Sequence, residues 1–253
     1  MPARYAIYFI PEPETALAAR GSTLLGRDGE TGGIIPQAVL PGFSRERLRS
    51  LTEDARRYGL HATLKAPFFL KPGRTEQDLL DAAARFVPGR RAFTVPRLEV
   101  ARIGSFFALI PSRETPEERE AVERINALAA DAASFFDSFR AAPSEQEIAR
   151  RNPQKLSEHQ RELLAAWGYP YVFDEYRFHL TLTDGIHDHE DARVMAENLD
   201  VYFENVCREP MPVSGVCVCK QETDVPAAKN VEQARQEMTG VFMPVKREAF
   251  TVA

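Results

Sequence analysis

The spacing of apolar and polar residues predicts a chain in which short strands and amphipathic helices follow one another. Apolar runs rich in β-branched and aromatic residues, bounded by Pro and Gly, predict strands. These runs cover residues 4–10, about 61–70, 92–101, 105–110, about 177–183, 212–220 and 239–246. Apolar residues at helical spacing predict helices. The helices cover residues 75–86, 115 to about 136, 157 to about 168 and 190–206, and one more starts at residue 144.

The order strand, helix, strand, strand occurs twice, from about residue 61 to 110 and from about residue 177 to 246. This repetition predicts two similar lobes related by a pseudo-twofold axis. A long glycine-rich loop is predicted over residues 20–44, and a helical insertion over about 141–170. Because long loops in compact domains are often functional, the loop is either a cover over the site or a plain surface loop.

One short motif, His-x-Thr-Leu, opens both repeats, at residues 61–64 and at residues 179–182. Successive side chains of a strand point to opposite faces, so the histidine and the threonine of each copy share a face. A single copy of so short a motif has little specificity. Two copies on equivalent strands predict that the two histidines face each other across a central cleft.

The two motif copies carry the groups that hydrolysis of a cyclic phosphodiester requires. One of His61 and His179 can take a proton from water while the other protonates the departing oxygen. The hydroxyls of Thr63 and Thr181 can donate to the non-bridging phosphate oxygens. This chemistry requires no metal and no cofactor. The alternative is that these are ordinary core histidines and strand threonines.

Charged residues flank both motifs. If the strands extend one step further, Arg57 and Lys65 lie on the face of His61, and Arg177 lies on the face of His179. Such side chains can hold a second phosphate or a bridging oxygen. The alternative is that these charged side chains simply lie in solvent at the ends of the strands.

Three other segments are weaker candidates. Tyr58 and Tyr8 are candidates for lining a cleft, although core packing is the favoured explanation for either one. Residues 150–155 form either a solvated charged turn or a contact to a phosphate tail. The acidic and histidine-containing run 187–191 is better explained as a helix start than as a metal site.

Composition narrows the classes of partner. The chain has 253 residues and a net charge of −5, which argues against a broad nucleic-acid or anionic-membrane surface. The three cysteines imply no disulfide framework and lack the spacing of a zinc site. Without a signal-peptide pattern or a long apolar run, the expected location is the cytoplasm.

Residues 56–68 (RRYGLHATLKAPF) and 167–183 (WGYPYVFDEYRFHLTLT) resemble the two-histidine (2H) phosphoesterase superfamily. Together with residues 4–9 and 25–28, they resemble a subfamily encoded in phosphonate-utilisation operons. The resemblance implies one bilobal α+β domain over residues 1–253, with two pseudo-twofold related antiparallel sheets facing a central cleft and helices packed outside. It also implies a metal-independent phosphoric diester hydrolase, with His61 and His179 catalytic and Thr63 and Thr181 binding phosphate.

The operon association implies a substrate, ribose 1,2-cyclic phosphate carrying a 5-phosphate. Two alternatives remain open at the level of sequence. One is an enzyme that acts on RNA ends or on nucleoside 2′,3′-cyclic phosphates, including a 2′-5′ RNA ligase-like activity. The other is a non-catalytic protein that binds a phosphorylated ligand in the same cleft.

Overall fold

The computed structural model describes residues 3–221 and 240–251. The strands of this part are β1 (Arg4–Phe9), β2 (Ala62–Phe69), β3 (Phe93–Val95), β4 (Leu98–Ile103), β5 (Phe106–Pro111), β6 (Leu180–Thr181), β7 (Met211–Val213), β8 (Gly215–Gln221) and β9 (Phe242–Ala249). The α-helices are α1 (Ala16–Leu25), α2 (Arg45–Ser50), α3 (Glu53–Tyr58), α4 (Glu76–Phe86), α5 (Pro116–Phe135), α6 (Glu145–Arg150), α7 (Glu158–Trp167) and α8 (His189–Arg208). Every strand pair is antiparallel, which confirms the predicted α+β class.

The strands form a four-stranded sheet in the order β2-β1-β8-β9, a three-stranded sheet β4-β5-β6, and a two-stranded sheet β3-β7. Each motif strand lies in a sheet with strands of the other repeat. Strand β2 of the first repeat shares its sheet with β8 and β9, whereas β6 of the second repeat pairs with β5. The two repeats therefore exchange strands, and neither sheet is built from one repeat alone.

One cluster of buried apolar side chains joins the two larger sheets and the helices that cover them. It includes Leu64 of β2, Leu109 of β5, Ile125 of α5 and Phe203 of α8, all of which are almost fully buried. Helix α5 packs on β2, and α8 packs on β4. The helices thus pack against the sheets through the apolar stripes that the sequence pattern predicts.

The helix starts agree with the capping residues in the sequence. Thr75, Thr115, Ser144 and Ser157 each accept a hydrogen bond from the backbone N–H three residues later. In all four cases the third residue returns a hydrogen bond to the cap, forming a capping box.

None of the helices in the described ranges is long and apolar enough to cross a membrane.

Several predicted boundaries differ from the structure. The run 92–101 divides into β3 and β4 at Pro96, which has no N–H to donate to a ladder. The run 212–220 divides at Ser214, so that β7 pairs with β3 while β8 pairs with β1. The second motif strand has only two residues, and His179 directly precedes it. Residue 239, the predicted start of the last strand, lies outside the described residues.

The predicted loop 20–44 begins within a helix. Helix α1 continues to Leu25, and Gly21 lies in its interior. A Cβ atom on Gly21 would lie 2.3 Å from Cδ2 of Leu60, just before the first motif. The glycine at this position therefore permits close packing of α1 rather than a turn.

Candidate active site

The structure brings the two motif copies together in one open cleft of about 350 Å³. His61, Thr63, His179 and Thr181 all line it. Strand β2 carries the first pair, and the short β6 with the residue before it carries the second. The predicted juxtaposition of the two histidines is present, and the cleft is large enough for a small phosphorylated ligand.

The two imidazoles are held by the same backbone contact. Nδ1–H of His61 donates to the carbonyl oxygen of Gly59 at 2.9 Å, and Nδ1–H of His179 donates to that of Arg177 at 2.8 Å. In each case the acceptor lies two residues earlier in the chain. This hydrogen bond fixes the ring orientation and leaves Nε2 as the nitrogen that can exchange a proton with a ligand. Thr63 Oγ1 lies 3.5 Å from Nε2 of His61.

Gly59 has a backbone that a side chain would strain. Its φ is +69° and its ψ is −180°, a region that is occupied almost exclusively by glycine. A Cβ atom at this position would meet Gly29 Cα at 3.6 Å, an ordinary contact. The requirement for glycine is therefore conformational, and this conformation directs the Gly59 carbonyl towards His61.

Aromatic rings surround both histidines. Tyr8 packs on His61 with ring centroids 4.1 Å apart, and Tyr58 stacks on it at 5.5 Å. Phe106 lies 5.7 Å from His179. Burial lowers the pKa of His61 to about 4, because the charged imidazolium loses its hydration there. Burial also lowers the pKa of His179.

The second motif segment positions the helix that precedes the first motif. The carboxylate of Asp184 accepts hydrogen bonds from the backbone N–H groups of Asp54 and Ala55, both at 2.8 Å. These are orphan donors at the first turn of α3. Because α3 carries Tyr58, Asp184 couples the His179 segment to the surroundings of His61.

The structure corrects the predicted role of Lys65. Leu64 and Lys65 together oppose Ile7 across the β1–β2 ladder, and this β-bulge reverses the strand alternation after Thr63. Lys65 is consequently buried on the α5 side, where Nζ donates to Asp137 Oδ1 at 2.6 Å and to the Ala133 carbonyl at 3.0 Å. It does not line the cleft.

The structure also corrects the placement of Arg57, whereas Arg177 lines a pocket together with His179. Arg57 lies in helix α3 rather than on a strand, is half-exposed and lies 3.6 Å from Asp54. Its side chain lines a neighbouring pocket instead of the cleft. Arg177 is exposed and lines a second neighbouring pocket, although its backbone carbonyl orients His179. Tyr58, by contrast, lines the cleft.

Other cleft residues come from distant parts of the chain. Arg4 begins β1, Phe106 begins β5, and Arg151 and Tyr169 belong to the helical insertion. Of these, Arg151 falls in the charged run 150–155, which the sequence offers as a phosphate contact, while Arg4 and Tyr169 fall in segments that carry the family resemblance without an assigned role. No local pattern identifies the other three, because long-range strand pairing and helix packing bring them to the site.

A larger aromatic pocket of about 610 Å³ adjoins His179. Phe106, Tyr169, Tyr171 and Tyr176 line it together with Thr63 and Arg177. Four aromatic rings form a surface on which a planar ring could stack. We call this space the aromatic pocket.

The glycine-rich loop after α1 does not reach the cleft. None of residues 26–44 lines it. The loop is fixed by Asp28, whose Oδ1 accepts from the N–H groups of Glu30 and Thr31, and by Gln37, which donates to Leu24 O and Thr52 Oγ1. Buried Arg27 donates to the carbonyl oxygens of Arg56, Arg57 and Phe242. The loop therefore contacts α3 through Arg27 and does not cover the cleft.

Within residues 3–221 and 240–251, no group of three or more His, Cys, Asp and Glu could hold a metal ion. The run 187–191 contains the start of α8, where Asp188 caps the helix. All three cysteines are buried and free, and burial raises the pKa of Cys217 to about 12.

Two curated relatives carry the name ribose 1,5-bisphosphate phosphokinase PhnN. The protein from Janthinobacterium sp. (strain Marseille) is 36% identical over 94% of this chain, and that from Laribacter hongkongensis (strain HLHK9) is 33% identical over 82%. The chain spans about half the length of these relatives, 51% and 46% respectively.

The crystal structure of E. coli LigT complexed with 3′-AMP matches 99% of this chain and 99% of its own, at 15% identity and a TM-score of 0.42. A likeness at that TM-score carries no argument about chemistry. Residues 63–227 match the family described as a protein of unknown function, DUF1045. Because this match spans well over half of the 253 residues, the chain belongs to the DUF1045 family.

Proposed function

We propose that the chain is a phosphodiesterase that opens a cyclic phosphodiester on a small phosphorylated sugar by acid-base catalysis. The observation that carries this proposal is the pair of histidines in one cleft, each oriented through Nδ1 with Nε2 left for the substrate. Two imidazoles held in this way are suited to proton transfer on opposite sides of a phosphorus atom.

In the proposed reaction, a water oxygen attacks phosphorus while a neutral imidazole takes the water proton. The phosphorus–oxygen bond of the ring breaks, and the second imidazole gives its proton to the departing sugar oxygen. The product is a phosphate monoester with a free sugar hydroxyl. Thr63 and Thr181 can donate to the non-bridging oxygens, where negative charge concentrates in the transition state.

The difference in burial favours His61 as the base. With a pKa near 4, His61 is neutral at pH 7 and ready to accept a proton. His179 is less buried, so a bound phosphate anion can stabilise its imidazolium form more easily. We therefore assign the general acid to His179.

The relatives favour a ribose phosphate as substrate. Their name refers to ribose 1,5-bisphosphate, and this chain corresponds to about half of the length of each. The sequence has no G-x-x-x-x-G-K-[ST] loop, the phosphate cradle of many kinases. Phosphodiester opening on a phosphorylated ribose therefore suits this half better than phosphoryl transfer from a nucleotide. Our specific hypothesis is ribose 1,2-cyclic phosphate 5-phosphate.

A second candidate substrate class is the nucleoside 2′,3′-cyclic phosphates. The aromatic pocket beside His179 supports it, because every nucleobase can stack on aromatic side chains. The same two histidines would carry out the same ring opening.

Phosphorus-31 NMR of the EDTA-treated protein with both substrate classes tests the proposal. Ring opening of ribose 1,2-cyclic phosphate 5-phosphate, lost in His179→Ala and retained in His159→Ala, is the expected result. His159 is a matched control because it is exposed and pairs with Asp174, away from the cleft. If only the nucleoside cyclic phosphates are hydrolysed, they replace the sugar phosphate as the proposed substrate. If neither class is hydrolysed, the result favours a protein that binds a phosphorylated ligand without catalysis.

A further inference from the structure

A pocket of about 300 Å³ adjoins the cleft and is lined by four arginine side chains, those of Arg4, Arg57, Arg140 and Arg151. We call it the arginine pocket. We infer that it binds a phosphate monoester of the substrate, separate from the cyclic phosphodiester that reacts between the histidines. This inference rests on the proposed function, and it narrows the substrate class to cyclic phosphodiesters that carry a second phosphate.

The arginine pocket and the cleft form one continuous depression. Arg4, Tyr58, Pro67 and Arg151 line both of them. Tyr58 also stacks on His61, so the arginine pocket opens beside the imidazole that we assign as the base. One small molecule can therefore place a phosphodiester between the histidines and a second group in the arginine pocket.

The charge around this pocket differs from that of the whole chain, whose net charge is −5. Four arginines and one carboxylate, that of Glu147, line the pocket. Two further carboxylates lie beside lining arginines: Asp54 beside Arg57, and Asp137 beside Arg140, where Asp137 also pairs with the buried Lys65. The lining is therefore predominantly cationic, which suits a phosphate dianion.

Two of the arginines have no carboxylate partner within the described ranges. Arg4 donates Nε to the neutral side chain of Gln221 at 2.7 Å, and Arg151 lies over the ring of Tyr169 at 4.8 Å. Glu147 is already occupied, because its carboxylate accepts from the backbone and hydroxyl of Ser144. The guanidinium groups of Arg4 and Arg151 can therefore take an anionic ligand without breaking an ion pair.

Arg140 forms a fixed wall of the pocket. It donates to Asp137 and, at 2.9 Å, to the carbonyl oxygen of Ala166. Gly168 leaves room for it, since a Cβ atom there would lie 3.1 Å from Cδ of Arg140. Planar guanidinium groups suit phosphate because they can form two parallel hydrogen bonds to its oxygens.

Kinetics with a matched pair of substrates tests the inference. The pair is ribose 1,2-cyclic phosphate with and without the 5-phosphate. We expect the wild-type kcat/KM to be at least tenfold higher with the 5-phosphate. Arg57→Met and Arg151→Met should each reduce that ratio by about tenfold or more, since a hydrogen bond to a charged group is commonly worth that factor. Arg45→Met removes an equal charge from the exposed surface of α2 and should leave the ratio unchanged.

Direct binding separates this inference from the proposed function. Ribose 5-phosphate has no cyclic diester to hydrolyse, and calorimetry should show that it binds wild type and binds Arg57→Met at least tenfold more weakly. Substitution of Arg57 gives the more specific test, because Arg57 lines the arginine pocket and not the cleft. Arginine-dependent binding without hydrolysis of any cyclic phosphate would support the pocket and overturn the proposed function. Hydrolysis with no preference for the 5-phosphate would overturn the pocket alone.

Discussion

The carbonyl oxygen of Gly59 accepts Nδ1–H of His61 at 2.9 Å, from a backbone conformation that favours glycine. Gly59 is therefore a positioning residue for the proposed base. Substitution by alanine should cost about 1–3 kcal/mol in backbone strain or move the carbonyl away from the ring.

We expect Gly59→Ala to lower kcat by about tenfold or more and to shift the pH dependence of kcat/KM, because the imidazole loses its fixed tautomer. Gly73→Ala is a matched control. Gly73 also has a positive φ, +84°, and a Cβ atom there would meet nothing within 4 Å. We expect both variants to lose similar amounts of unfolding free energy, measured by urea unfolding. Steady-state kinetics should show a loss of activity only in Gly59→Ala. Equal activities would remove the positioning role.

The two histidines should respond differently to the leaving group. With a cyclic sugar phosphate, His61→Ala and His179→Ala should each reduce kcat by about 10²–10⁴. With bis(p-nitrophenyl) phosphate the departing phenolate needs no proton, so His179→Ala should lose less than about tenfold while His61→Ala keeps its full defect. The reverse pattern would exchange the assigned base and acid, and His159→Ala serves as the unaffected control.

Burial of His61 also predicts a pH dependence of stability. Its pKa is about 4 in the folded protein and about 6.5 in an unfolded chain. Between these values the unfolded state takes up a proton that the folded state refuses. The contribution of His61 is therefore fully present above pH 6.5 and is lost as the pH falls towards 4, by up to about 3 kcal/mol.

Urea unfolding of wild type and His61→Gln at pH 7.5, 6 and 5 measures this effect. Both proteins share the titration of their carboxylates, so the difference between the two curves isolates His61. The free energy of unfolding of wild type should fall more steeply with decreasing pH. Parallel curves would show that the imidazole is solvated.

Lys65 should contribute to stability rather than to catalysis. Asp137→Asn leaves the buried Lys65 ammonium without a carboxylate and should cost about 3–5 kcal/mol in unfolding free energy. Lys65→Met should cost less, since Asp137 keeps its ion pair with Arg140. We expect the folded Lys65→Met protein to retain the wild-type kcat. A large kcat defect in a well-folded Lys65→Met protein would contradict this role.

Chelation provides a simple test of the cofactor expectation. The proposed proton transfers use imidazoles alone, so dialysis against EDTA should leave kcat/KM unchanged. Strong inhibition that added zinc or manganese reverses would require a metal-assisted mechanism.

The sequence predicts the features that depend on local periodicity. Alternation along a strand places each histidine with its threonine, and capping residues identify the starts of α4, α5 and α7. Strand alternation alone places Lys65 on the wrong face, because the bulge at Leu64 depends on pairing with Ile7, which the local sequence does not reveal. The sequence assigns no role to Arg4 and Tyr169 for a related reason: they reach the site through strand pairing and through the helical insertion.

The exchange of strands between the two repeats also affects how the protein is made. Strand β1, from the beginning of the chain, pairs with β8, so that Arg4 lies opposite Gln221. During synthesis β1 must wait until residue 221 has emerged before it gains all of that neighbour. We therefore expect fragments that end before β8 to bind chaperones and to lack a working cleft, even though such fragments contain both motifs.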